Sequence, residues 1–82
     1  MGGLIRGQQL AAGRALINLT QAQLARAAGL HPNSIRYLER QDRITTGFSS
    51  SRVEQAMLYL GVIFFYSPSP GVRLRPKEKE FG

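Results

Sequence analysis

Cysteine is absent from this sequence, which removes disulfide bridges and thiolate metal sites as sources of stability. Acidic residues are scarce, five Asp and Glu against eleven Lys and Arg, and they offer no evident carboxylate pair for acid–base catalysis. Histidine occurs once, at His31, with no second ligand at metal-binding spacing. No Gly-rich phosphate cradle is present. The longest apolar run, 56–66, is interrupted by Gly61 and falls short of the ~20 residues that a membrane span needs. No secretory leader is expected, and Arg6 stands where a myristoylation signal requires Ser or Thr. These absences argue against an enzyme, a metal, a cofactor and a membrane anchor, and the expectation is a cytoplasmic protein.

What the chain does have is positive charge, a formal +6 over 82 residues. A domain this basic attracts polyanions: DNA, RNA or an acidic membrane surface. Its length fits one domain with a modest core, which leaves stability marginal or dependent on a partner.

Hydrophobic periodicity predicts a mainly α fold with a short C-terminal β-hairpin. After a loose N-terminus at 1–6, a helix is expected over 7–18. There Leu10, Arg14 and Ile17 share one face at spacings of four and three, with Ala11 and Ala15 beside them. Thr20 reads as an N-cap for a second helix, 21–28, which turns Leu24, Ala25 and Ala28 inward and ends at Gly29. A third helix, 32–40, opens with His31 as N-cap and Pro32 at the first helical position. Ile35 and Leu38 face inward on it, leaving Pro32, Asn33, Arg36, Tyr37 and Arg40 outward. A polar loop, 41–48, follows. Serines 49–51 offer N-caps for a fourth helix running to Leu60, with Val53, Ala56, Met57 and Leu60 as its apolar face. The β-branched and aromatic run 62–66, the Pro-rich turn 67–71 and the alternation in 72–75 predict the hairpin, whose first strand is expected to pack on the fourth helix. Taken by segment, 7–60 is the helical domain, 61–76 the hairpin extension and 77–82 a disordered charged tail.

Two short helices around a turn are common, but the spacing here is specific. Ala25, Gly29 and Ile35 stand fifth, ninth and fifteenth counting from Gln21. A small residue lets two helices cross steeply, glycine makes the tight turn, and a branched apolar residue plugs the angle between them.

The segment TQAQLARAAGLHPNSIRYLER resembles the helix-turn-helix of lambda-repressor-like (Cro/repressor, XRE-type) DNA-binding domains. The resemblance extends more loosely over residues 9–60, and the ending LGVIFFYSPSPGVRLRP is similar to that of short bacterial XRE-type proteins that append a β-hairpin. It implies a four-helix domain that reads double-stranded DNA through the outward side of the third helix. Pro32, Asn33, Arg36 and Tyr37 then face base edges. Thr20, Gln21, Ser34, Arg40 and Arg43 face phosphates, and Gln21 also braces the recognition helix. It further implies an ion pair between Arg14 and Glu39, which explains an acid next to a DNA-binding surface. This chain departs from the family pattern at His31-Pro32, because Pro32 has no donor for a base, and in the 41–48 loop.

The implied function is transcriptional regulation, with repression expected. A monomer has few base contacts, so a homodimer on two half-sites is expected, the hairpin being the candidate contact. The alternative is an antitoxin-type module whose hairpin binds a small protein partner.

Overall fold

The structure, a computed structural model, describes residues 5–44 and 47–76. The expected disordered tail at 77–82, most of the expected loose N-terminus and part of the 41–48 loop lie outside the described residues.

Four helices are followed by two strands: α1 (Gly7–Leu16), α2 (Gln21–Ala28), α3 (Pro32–Glu39), α4 (Phe48–Tyr59), β1 (Val62–Phe65) and β2 (Gly71–Leu74). The strands pair antiparallel, with Val62 opposite Leu74 and Phe65 opposite Gly71. The core draws on every helix: Leu10 from α1, Leu24, Ala25 and Ala28 from α2, Ile35 and Leu38 from α3, and Val53 and Met57 from α4. Val62 of β1 closes it. Burying a side chain of this size contributes roughly 1.5–3 kcal/mol.

Helices α1 and α2 end in the same way. Asn18 (φ 57°) and Gly29 (φ 72°) both take the left-handed conformation that a helix C-terminus favours in Gly and Asn. The next residue in each case, Leu19 or Leu30, returns its amide to a carbonyl five positions back, Arg14 or Ala25 respectively. Each leucine is thereby tucked against the core. The left-handed turn at Asn18 explains why α1 stops at Leu16 rather than running to residue 18.

Helix starts are set by side chains. Thr20 Oγ1 accepts from the Gln23 amide at 3.0 Å, and Gln23 Oε1 accepts from the Thr20 amide at 2.9 Å, a reciprocal capping box. His31 Nδ1 accepts from the Asn33 amide at 3.0 Å ahead of Pro32. At α4 the serines are not the N-cap: Gly47 is, and its amide donates to Ser50 Oγ at 2.9 Å. The helix therefore begins earlier than expected, at Phe48, because a third-position serine satisfies the leading amide.

Several packing expectations need correction. Ile5 is not loose. It is buried, and its carbonyl accepts from the Ile44 amide at 2.8 Å. Ile44 is itself buried, so the 41–48 segment carries a core residue. On α1 the buried positions besides Leu10 are Gly7, Gln9 and Gly13, while Ala15 is exposed. Leu60 follows α4 as its C-cap and stays 38% exposed, off the helix's buried face. The strands also lie one residue earlier at their ends than the pattern suggested.

The hairpin packs on α1 as well as α4. Gln9, 5% exposed, donates through Nε2 to the carbonyls of Phe65 and Gly71, both at 3.0 Å. Its Oε1 accepts from the Arg6 amide at 2.7 Å. A buried amide needs such partners, and these tie the closing pair of the hairpin to the start of α1. Gly13 leaves room for the approach: a Cβ there would lie 2.7 Å from Met57 Cε and 3.0 Å from Val62 Cγ1.

Candidate nucleic-acid interface

Helices α2 and α3 meet over two fully buried residues, Ala25 and Ile35, both at 0% exposure. The small side chain admits a close crossing and the branched one fills the angle. With Ile35 and Leu38 turned inward, the opposite side of α3 is left to solvent. Asn33, Arg36 and Arg40 are exposed, Tyr37 is 64% exposed, and Pro32 and Ser34 are partly covered. Arg26 and Arg43 are exposed nearby. The four outward-facing α3 residues from Pro32 to Tyr37 thus lie on one accessible ridge. An open cleft of about 300 Å³ runs between this ridge and the start of α4, lined by Asn33, Ser34, Tyr37, Leu38 and Ser49.

Glu39 is the only acid in α2 and α3, and it does not join that ridge. Arg14 meets it from α1 at two points, Nε to Oε2 at 2.7 Å and Nη2 to Oε1 at 3.1 Å. Gln21 Nε2 donates to the same Oε1 at 2.9 Å. The third nitrogen of Arg14 donates to the Leu19 carbonyl at 2.9 Å. The hydrogen bond that Arg14 donates to Glu39 raises the Arg14 pKa above its ordinary value, outweighing burial, which acts in the other direction. The last turn of α3 is thus clamped to α1 and to the first residue of α2, and its negative charge is neutralised inside the protein.

Phosphate-facing candidates divide into two groups. Arg40 and Arg43 are exposed and carry no hydrogen bond to another side chain among the described residues. Thr20 and Gln21 are committed in part to structure, Thr20 as the cap of α2 and Gln21 as the brace on Glu39, yet both stand at the N-terminal end of α2. On α3, Arg36 Nη1 donates to Asn33 Oδ1 at 3.1 Å.

Sequence reasoning overlooked Arg52. Its Nε donates to the Ala28 carbonyl at 2.7 Å, capping α2 from α4, and its guanidinium lies 5.2 Å from the centre of the Phe48 ring. That guanidinium also crowds Gly29, since a Cβ on the glycine would come within 2.6 Å of Nη2. The four-residue spacing of Phe48 and Arg52 was the available signal. Gly7 was overlooked as well. Its amide donates to the Gln41 carbonyl at 2.9 Å. A Cβ there would meet the backbone oxygens of Glu39 and Gln41, so α1 starts directly against the end of α3.

A third helix set outward by a glycine turn, with its one acid drawn into the protein, is the arrangement of a helix-turn-helix domain. The helix-turn-helix family profile matches residues 10–57, more than half of the chain, and the chain belongs to this family in its XRE-type form. The family binds double-stranded DNA and regulates transcription; it is not a family of enzymes. A comparison with curated proteins gives no match. Among the described residues, no helix is long and apolar enough to cross a membrane.

Proposed function

We propose that the protein is a sequence-specific transcriptional repressor that seats the outward ridge of α3 in the major groove and blocks access to the duplex it occupies. The carrying observation is the inward capture of Glu39 by Arg14 and Gln21, which leaves the α2–α3 face with only basic and neutral groups. Asn33, Arg36 and Tyr37 supply contacts to base edges. Pro32 adds an apolar contact with no hydrogen bond. Arg40 and Arg43 neutralise phosphates, while Thr20, Gln21 and Ser34 set the register of the domain on the backbone. Such a protein works where the DNA is, and a cytoplasmic location fits this reading.

A homodimer would place two recognition helices on half-sites one helical turn apart, ~34 Å. The hairpin has only two strands and therefore two unpaired edges. Leu74 at its end and Leu58, Tyr59 and Leu60 beside it are 47%, 53%, 84% and 38% exposed. These side chains support a self-contact at that end of the molecule. They equally suit the antitoxin arrangement, in which a small protein covers them. Sedimentation distinguishes the two: the purified chain is expected to dimerise at high concentration, whereas a monomer that co-purifies with a stoichiometric partner from its host favours the second reading.

Selection of bound sequences from random duplex DNA tests the function itself. A defined motif is expected, and recovery of unenriched DNA would refute it.

A further inference from the structure

We infer that Asn33 and Arg36 act as one reading unit dominated by hydrogen-bond donors, so the base pair beneath them is read through guanine rather than adenine. This rests on the proposed seating of α3 in the major groove. Arg36 lies three residues after Asn33, on the same side of the helix, and its Nη1 donates to Asn33 Oδ1 at 3.1 Å. A guanidinium has no acceptor, so the amide atom facing it must be the oxygen. That settles which way the Asn33 amide points: its Nδ2 faces away from Arg36.

The consequence follows from the donor and acceptor pattern of the bases. An asparagine that reads adenine accepts from the N6 amino group through Oδ1 while donating to N7 through Nδ2. Here one of the two lone pairs of Oδ1 already takes a bond from a charged donor, which is stronger than one from a neutral amino group and leaves the oxygen a poorer acceptor for N6. The backbone N–H of Asn33 cannot contribute either, because it donates to His31 Nδ1. The unit then offers mainly donors, the two Nδ2 hydrogens beside the free hydrogens of the guanidinium, against one weakened acceptor position on Oδ1. Guanine presents two neighbouring acceptors, N7 and O6, to such an array. Adenine and cytosine each present an amino group that would face donors.

The test is competition binding with duplexes that vary one base pair. Selection from random DNA first defines the site, and Asn33→Ala then identifies the position at which discrimination is lost. At that position the wild-type protein is expected to prefer guanine over adenine by about tenfold. In Arg36→Met the amide oxygen is released, and the guanine-to-adenine ratio should fall toward one or invert. Both side chains are exposed, so the fold should survive either change. A wild-type preference for adenine, or a ratio unchanged in Arg36→Met, would overturn the inference and leave the seating of α3 intact. Failure to enrich any site would overturn both.

Discussion

Arg14 and Glu39, 25 positions apart, form a two-point ion pair that fastens the end of α3 to α1. The side chains are 22% and 9% exposed, so the carboxylate is the more deeply placed partner. Removing one member of a buried pair costs more than the pair itself contributes, because the other charge is stranded. Arg14→Met is therefore expected to destabilise the protein by about 2–3 kcal/mol in urea denaturation, less than the full cost at a completely buried site. Glu39→Gln should cost less, since Arg14 keeps the Leu19 carbonyl and access to water. Equal losses below about 0.5 kcal/mol, the range of ordinary surface changes, would contradict this account of the clamp.

Gln9 is expected to hold the hairpin to the helical domain. Gln9→Leu keeps the bulk but removes the donor that reaches the carbonyls of Phe65 and Gly71 and the acceptor of the Arg6 amide. A loss of about 2–3 kcal/mol is expected, given the cost of stranding buried polar groups. Amide exchange should accelerate in β1 and β2 first, with α2 and α3 less affected. Uniform acceleration across the chain would mean that Gln9 has no local role.

Glu54 is expected to oppose folding at neutral pH. Burial raises its pKa, so its charged form is less favourable in the folded than in the unfolded protein. A group of this kind favours folding below its unfolded pKa and loses that contribution as pH rises through the folded value. Glu54→Gln should thus raise the melting temperature at pH 7, with the gain shrinking to nothing at acidic pH. Burial, with the charge of Glu54 second, also raises the pKa of Tyr66. The phenol should titrate at lower pH in the same variant. An unchanged Tyr66 titration would show that the two groups do not interact.

His31 caps α3 through Nδ1, an unusual use of the ring. His31→Ala is expected to cost about 1 kcal/mol, the typical value of an N-cap. His31→Asn should restore most of it. A neutral alanine variant would mean that Pro32 alone sets the start of the helix.

Arg40 and Asn33 should fail in different ways. Arg40→Ala is expected to weaken binding to all duplexes alike and to lower the slope of log affinity against log salt by about one. Asn33→Ala should leave that slope intact and flatten preference at one base pair. An unchanged slope in Arg40→Ala would remove it from the phosphate contacts.

Much of the fold could be read from the sequence because local chemistry and helical period agreed. Gly29, Thr20, Pro32 and the Ala25–Ile35 spacing each have a backbone reason that no distant residue alters. What escaped notice depends on tertiary partners. Gln9 is polar, and nothing in its neighbourhood announces that it will be buried under a hairpin more than fifty residues away. Gly13 sits mid-helix, where glycine ordinarily costs stability, and only the approach of Met57 and Val62 explains it. Ile44 lies in a polar loop and is drawn inward by Ile5. The start of α4 was misplaced because three consecutive serines were equally good caps, and the choice went to Gly47 with Ser50 folded back onto it. At the proposed interface the residue types were visible in advance, but the bond from Arg36 to Asn33, which changes what Asn33 can offer a base, was not.

Amide chemical-shift mapping of the full chain, titrated with its selected duplex, tests the seating of α3 most directly. The largest saturable shifts are expected at Gln21 and across 33–40, with Leu58, Tyr59 and Leu60 moving little. Shifts that spare α3 and gather on the hairpin and the end of α4 would contradict it.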